Sequence, residues 1–422
     1  MKNKFTSTGE LHNNDRAGAT TAMTAITGKA GKTAKLLLVL MAILAVLLCA
    51  GCGSKDKAAE AIDEKADSIL EEHKTGSMEL KYADQFHVDY YEDGIAVVTI
   101  EDGLQYLVIE GSDELPEWLP DEEVGEMTII CAPAQSVYLA ASSAMDLIDA
   151  AGALDSVKMT STQAKDWGID KIRKLVEDGT IQYIGKYRAP DYEALLEGDI
   201  DLAIESTMIY HNPQIKEEIE EVGIPVLVER SSYEADPLGR LEWIKLYGLL
   251  LGKSEEAESF FNAAVEKIKS VDTDAVSEAP SVAFFSVNSN GSVVVRKPGD
   301  YVTKMIETAG GTYALDGITE EEDNALSTMN MQMEAFYDKA VDADILIYNS
   351  TIEGSLESIS DLTALSDKFA DFRAVKEGRV WCTDASTFQK TTGVADMTVE
   401  MNRIFAGEED DSDMEYFHKL AR

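Results

Sequence analysis

Positive charge is scarce in this 422-residue chain: 37 Lys and Arg stand against 78 Asp and Glu, a net charge of −41. So acidic a chain repels nucleic acid and anionic lipid surfaces, which excludes polyanion binding as its task. Histidine is scarce as well. His73, His87, His211 and His418 are scattered beyond the first fifty residues, so no multi-histidine metal site is predicted. Cysteine is limited to Cys49, Cys52, Cys131 and Cys382. No CxxC spacing occurs beyond the first 52 residues, and the last two cysteines, about 250 residues apart, read as buried free thiols rather than a disulfide. No GxSxG, HExxH or kinase set is present. Gly252-Lys253-Ser254 ends like a phosphate loop, but the required first glycine falls on Tyr247. No constellation supports an enzyme, and paired carboxylates identify nothing in so acidic a chain. A hydrophobic content of 45% with 9 prolines is globular composition, in a length that suits two domains with real cores.

What is present begins with a leader. Leu36 to Leu48 is an unbroken apolar run, preceded by Lys29, Lys32 and Lys35. It is too short for a comfortable membrane span. Ala50 and Gly51 then precede Cys52, with Gly53 and Ser54 after it. This resembles a bacterial lipoprotein signal, with Cys49 where that pattern usually has Leu. The resemblance implies removal of residues 1–51, lipidation of Cys52 and anchoring by lipid alone on the extracytoplasmic face of the cell membrane. Met23 is an alternative start. Losing residues 1–51 removes six basic and two acidic side chains, leaving the chain more acidic still. Residues 52–77, charged and Ala-rich, read as a solvated tether.

Residues 78–235 read as a first lobe. Asp93-Gly94 and Asp102-Gly103 are turn dipeptides between β-rich runs, predicting a three-strand meander over His87–Ile109. An acidic loop, Leu115–Glu126, follows. Strand patterns at Met127–Cys131, Val157–Thr160, Ile181–Ile184, Leu202–Ile204 and Pro225–Val228 then alternate with helical ones at Ser143–Gly152, Ile169–Glu177, Asp191–Glu197 and Pro213–Val222. Such alternation predicts a parallel sheet flanked by helices, with ligands outside the carboxyl ends of the strands. Residues 272–422 repeat the plan, with strands at Ser281–Val287, Ser292–Val295, Ile345–Tyr348 and Arg379–Cys382 and helices after Asp300 and over Met331–Ala340, Leu356–Lys368 and Asp396–Phe405. Residues 408–413 read as a solvated acidic tail or turn. A weak internal echo links Glu193-Ala194-Leu195 and Asp201-Leu202-Ala203-Ile204 to Glu334-Ala335-Phe336 and Asp344-Ile345-Leu346-Ile347.

Between the lobes, residues 236–271 read as a helical connector. Ala257, Phe260, Phe261, Ala264, Val265 and Ile268 form one apolar stripe. Ser254 suits an N-cap, and Glu255, Glu256, Lys267 and Lys269 suit the helix dipole. The stretch Ser254–Val271 therefore predicts one stiff strut of roughly 27 Å, behind a segment Leu238–Leu251, also apolar at helical spacing, that Gly252 breaks. The fold class is α/β: two Rossmann-like lobes joined by one long connector helix, with an N-terminal β meander.

The strand-end loops carry the candidate ligand-binding residues: Trp167, Tyr187, Arg188, Tyr233, Arg240, Arg296 and Phe388. Aromatic faces and guanidinium forks suit a planar or anionic ligand. The lipobox, paired lobes and connector, with the runs AMDLIDAAGALDSV, PDYEALLEGDIDLAIE, SSYEADPLGRLEWIKLYGLLLGKSEEAESF and RKPGDYVTKMIETAGG, resemble the substrate-binding proteins of bacterial ABC importers. The nearer likeness is to the class that receives ferric siderophores, haem and cobalamin. The resemblance implies a monomeric, non-enzymatic protein without resident cofactor or metal. It would capture a ferric complex and deliver it to an ABC permease and its ATPase, Glu193 and Glu334 engaging permease arginines. Cobalamin or haem are the nearest alternative ligands. A tethered sensor module and a lipoprotein hydrolase are alternatives of another kind.

Overall fold

Turn chemistry sets the first sheet. In the computed structural model, which describes residues 69–318, 327–408 and 410–422, Asp93 (φ 55°) and Gly94 (φ 74°) take the left-handed conformations that a tight hairpin asks for. They join β2 (Phe86–Tyr91) to β3 (Ile95–Ile100), and Asp102-Gly103 joins β3 to β4 (Gln105–Glu110). The expected three-strand meander is there, widened to five. An outer strand, β1 (Lys74–Ser77), lies antiparallel to β2, and β5 (Thr128–Ala132) lies parallel to β4. The segment expected to open the parallel sheet thus completes the meander instead. One face of β3 joins the main core through Ala96, Val98 and Ile100. The other packs Ile95 and Val97 on Leu107, Ile109, Leu119 and Val124. The leader, Cys52 and the tether up to residue 68 lie outside the described residues.

The first lobe's own sheet starts at β6 (Val137–Leu139), inside a stretch expected to be loop. With β7 (Val157–Thr160), β8 (Gln182–Tyr183), β11 (Leu202–Ser206) and β12 (Val226–Glu229) it forms a five-stranded sheet in the order β12-β11-β6-β7-β8. Every pairing in it is parallel, which places the change of winding direction between β6 and β11. A two-stranded hairpin, β9 (Gly185–Lys186) and β10 (Ala189–Pro190), stands apart. Helices α1 (Ser142–Ala150), α2 (Asp170–Glu177), α3 (Tyr192–Glu197) and α4 (Pro213–Glu221) flank the sheet.

The connector is a pair of helices rather than one rod. Helix α5 (Pro237–Leu251) is capped by the Asp236 carboxylate and buried along its whole length, Arg240, Glu242 and Lys245 included. Gly252 (φ +67°) stops it in the left-handed conformation. The striped helix α6 (Ser254–Lys269) then folds back beside it. Ser254 is the first helical residue of α6, and its side chain makes no cap. A Cβ on Gly248 of α5 would lie 2.7 Å from the Ala257 Cβ of α6, so that glycine sets the closeness of the pair. Glu242 and Lys245 on α5 are paired, whereas Arg240 Nε and the Tyr247 hydroxyl are buried without a hydrogen-bond partner among the described residues. Glu242 accepts the backbone N–H groups of Lys81, Tyr82 and Ala83, and Lys245 Nζ donates to Glu242 and to the Glu79 carbonyl. Phe86 meets Trp243 edge-on at 4.8 Å.

The second lobe is a seven-stranded sheet of β13 (Ser281–Val287), β14 (Val293–Arg296), β15 (Thr312–Tyr313), β16 (Thr328–Met331), β17 (Ile345–Tyr348), β18 (Val380–Thr383) and β19 (Phe417–Lys419). β13, β17 and β18 run parallel at its centre, and β14, β16 and β19 are antiparallel additions. Helices α7 (Tyr301–Thr308), α8 (Met333–Ala340), α9 (Ile359–Leu365), α10 (Arg373–Glu377) and α11 (Val394–Phe405) cover it. Phe285, Phe336, Phe369 and Phe372 stack together in its core. The acidic stretch after α11 is a turn with a purpose: Glu408 and Asp413 hold Arg403, and the chain continues into β19. The fold is thus α/β, with two helix-flanked, parallel-centred sheets.

Candidate ligand-binding site

The second lobe positions the core of the site through one short run. β14 ends at Arg296, Asp300 caps α7 by accepting from the Val302 amide, and Tyr301 opens the helix. Arg296 Nη1 lies 3.5 Å from Asp300 Oδ2 and donates to Ser327 Oγ at 3.1 Å, while Nη2 reaches the Tyr301 hydroxyl at 3.4 Å. All three side chains are buried. Burial pushes the Asp300 carboxyl up, and the Arg296 guanidinium, the Val302 amide and Arg240 pull it back.

Arg240, on α5, ties this run to the first lobe. Its guanidinium lies 4.1 Å from the Tyr301 ring centroid. It also acts on Glu229, at the end of β12, whose carboxyl is raised by complete burial. Glu229 accepts from the Ser231 amide and the Ser143 hydroxyl. One buried knot of charge therefore joins the first lobe, the connector and the second lobe.

Beside this knot lies a narrow pocket with a free volume of about 20 Å3. Arg296 and Tyr301 form its polar corner. Phe284, Val302, Met305, Met397, Met401 and Phe388 form its apolar walls, with Asn349, Thr351 and Thr387 completing it. Phe388 is 45% exposed, and it rides on a strap that crosses to the other lobe. Gln389 Oε1 accepts from the Gly168 amide at 2.7 Å and its Nε2 donates to the Asp166 carbonyl at 2.8 Å. Thr392 donates through both N and Oγ1 to Asp146 Oδ2, at 2.8 and 2.6 Å, and Thr391 donates to the Ser143 carbonyl.

The other expected residues are spread wider. Trp167 is buried, donating from Nε1 to the Thr162 carbonyl, one residue from the strap contact at Gly168. Tyr233 lies under the Arg230 guanidinium at 4.3 Å. Tyr187 and Arg188 sit on the turn of the β9–β10 hairpin, Tyr187 against the outer core of the first lobe. The structure thus brings Arg240, Arg296 and Phe388 to one place and leaves Tyr187 and Arg188 on another element. Glu193 is exposed in the first turn of α3. Glu334 is exposed in the first turn of α8, 3.6 Å from Lys368 Nζ. Cys131 and Cys382 are free thiols, but Cys131 is exposed, on the edge strand β5, and only Cys382 is buried as expected.

Tyr301 and the three methionines were not singled out from the sequence. Tyr301 had a usable signal, since it follows the helix cap at a strand-end loop. Met305, Met397 and Met401 had none, because their helical spacing is that of ordinary core. Among the described residues no group of three or more His, Cys, Asp or Glu is placed to hold a metal ion. None of the described helices is long and apolar enough to cross a membrane.

Two α/β lobes, a connector packed between them and a pocket in the second lobe beside the strap define a two-lobed binding protein. The chain belongs to the family described as periplasmic binding protein, whose sequence model matches residues 137–387; the five-stranded meander lies ahead of that match. Its fold is similar to that of a periplasmic haem-binding protein from Pseudomonas aeruginosa (17% identity, TM-score 0.52, covering 68% of this chain and 99% of that one). It is also similar to a petrobactin-binding protein from Bacillus subtilis (16% identity, TM-score 0.53, 66% and 94%). Two sequence relatives from Methanocaldococcus jannaschii are both called uncharacterized lipoproteins. One is 24% identical over 72% of this chain and 75% of its own length, the other 22% identical over 88% and 95%.

Proposed function

We propose that this protein is the substrate-binding component of an ABC importer, capturing a ferric siderophore-type complex and passing it to a membrane permease. The observation that carries the reading is the pocket beside Arg296, Tyr301 and Phe388, walled by apolar side chains and bordering the strap between the lobes. A concave, mainly apolar site with a few fixed polar groups is what small-molecule recognition uses. The petrobactin- and haem-binding neighbours support the choice of ligand class. No bond is made or broken, and no resident cofactor takes part. The ligand is held, and the lobes adjust by small hinge changes.

Titrating the full chain, in a neutral detergent, with hydroxamate and catecholate iron complexes, haem and cobalamin tests this. Intrinsic tryptophan fluorescence, to which Trp167 beside the strap contributes, supplies the signal. Saturable quenching by an iron complex is expected; a response to none of the panel would overturn the reading. Glu193 and Glu334 are the proposed permease contacts, and charge reversal at both should abolish stimulation of the permease ATPase while ligand binding survives. Cys52 is the proposed lipid anchor, and Cys52→Ser should release the protein from membranes.

A further inference from the structure

The cation that lines this pocket is already matched by an anion of the protein: Arg296 Nη1 lies 3.5 Å from Asp300 Oδ2. Arg240, outside the lining, stacks on the Tyr301 ring at 4.1 Å. Nearby Arg230 lies 3.5 Å from Asp102 Oδ2. Arg296 is the one charged residue lining the pocket, and the rest of the lining is aliphatic, aromatic, thioether, hydroxyl or amide. The chain surrounding it carries a net charge of −41, so an anion is repelled on approach and meets no uncompensated cation on arrival.

Resting on the reading above, we infer that the pocket selects a metal complex with no net negative charge, held by its apolar surface and by single hydrogen bonds, with Asp300 as the residue that sets this preference. Burying an ionised group without a free partner is costly. The buried guanidiniums hold the junction together instead of binding an anion. For iron complexes the selection is a plain count. Ferric ion with three hydroxamates is neutral, and with three catecholates it carries three negative charges.

The test is equilibrium binding of the full chain to a neutral ferric tris-hydroxamate and to a ferric tris-catecholate, each at low and at physiological salt. The neutral complex is expected to bind at least about tenfold more tightly, with an affinity that salt hardly changes. Asp300→Asn keeps a side chain that still caps α7 and leaves Arg296 short of its anion. It should raise affinity for the tris-catecholate about tenfold relative to the neutral complex, and a ratio the same as in the unaltered protein would remove Asp300 as the residue that sets the preference. Tighter binding of the tris-catecholate to the unaltered protein, weakening steeply with salt, would overturn the charge selection while leaving the import reading intact. Binding of neither, with haem and cobalamin also silent, would overturn the import reading and this inference with it. A thermal melt of Asp300→Asn separates lost folding from lost selection, and the salt comparison on the unaltered protein stands without that variant.

Discussion

Asp201 and Asp344 do the same work in the two lobes. Each sits one residue ahead of a central strand, β11 or β17, and its carboxylate accepts backbone N–H groups at the start of the neighbouring strand. Asp201 takes those of Gln135 and Ser136 at 2.7 and 2.9 Å, just before β6; Asp344 takes that of Ser281 at 2.9 Å, the first residue of β13. Each also donates its own N–H back, to the carbonyl of Ser136 or Ser281. Charge-assisted bonds of this kind contribute about 1.5–3 kcal/mol, somewhat less where water competes. Asp201→Ala and Asp344→Ala should therefore each lower unfolding free energy by about 1–2 kcal/mol. Sharing no partner, the two losses should add in the double variant. Urea melts of the two single variants and the pair check this.

The same pair explains what was legible beforehand. The echo around Asp201 and Asp344 was visible as letters, because a buried parallel strand needs a continuous apolar run and an acid just before it shows up as a break. Strands β7, β13 and β17 were placed to the residue for that reason. β6 was missed because three residues, Val-Tyr-Leu, give no period to count. β16 (TMNM) and β19 (FHK) were missed because edge strands lack an apolar run. In the connector both helices are legible from their apolar spacing and Gly252 as the break between them; that α6 folds back beside α5 instead of continuing as a rod is decided by packing, which the spacing does not carry. Loop chemistry led to Arg296 and Phe388, but the methionine wall of the pocket is supplied by two helices distant in sequence, α7 and α11, which only tertiary packing brings together.

The closeness of α5 and α6 predicts the cost of a single methyl group. A Cβ on Gly248 would stand 2.7 Å from the Ala257 Cβ and 3.0 Å from the Lys253 carbonyl oxygen. Helix propensity favours alanine there by about 1 kcal/mol, but the overlap forces the pair apart. Overpacking of this kind costs about 1–3 kcal/mol. The expected result for Gly248→Ala is a net loss of up to about 2 kcal/mol with a lowered melting temperature; a gain in stability would mean that the two helices are not in tight contact.

Glu205 predicts a pH dependence. Both its carboxylate oxygens are buried at the end of β11 without a hydrogen-bond partner among the described residues. Burial raises its pKa from the ordinary 4.5 to about 8, and burial, aided by Glu205, also raises that of Tyr138 on neighbouring β6. Below pH 4.5 the carboxyl is protonated in both the folded and unfolded chain and imposes no penalty. Between that point and about pH 8 the folded protein keeps a proton that the unfolded chain releases, so stability falls as pH rises. Glu205→Gln removes the titration. The difference in stability between the variant and the unaltered protein should shift in favour of glutamine, by on the order of 2 kcal/mol or more, between pH 5 and pH 8.5. Taking the difference cancels the repulsion common to all the surface carboxylates. A difference that does not change with pH would place the Glu205 carboxylate in contact with water or a cation.

The strap predicts where the lobes separate. Gln389 spans Gly168 and Asp166, and Thr392 puts two donors on Asp146. These bonds join residues more than two hundred positions apart and cross from one lobe to the other beside the pocket wall at Phe388. The fit is close, since a Cβ on Gly168 would lie 2.7 Å from the Ser386 Cβ. Gln389→Ala together with Thr392→Val removes the Gln389 and Thr392 side-chain bonds, keeps that of Thr391 to the Ser143 carbonyl, and leaves the pocket lining intact. The loss of about 1–2 kcal/mol in holding the strap should speed hydrogen exchange at the Gly168 amide about tenfold and raise the ligand association rate several-fold, because the closed arrangement must open to admit a ligand larger than the pocket. Global stability should change little, since no core side chain is touched. Exchange at Gly168 that stays as slow as in the unaltered protein would show that the apolar contacts around Trp167, not the strap, hold the lobes together.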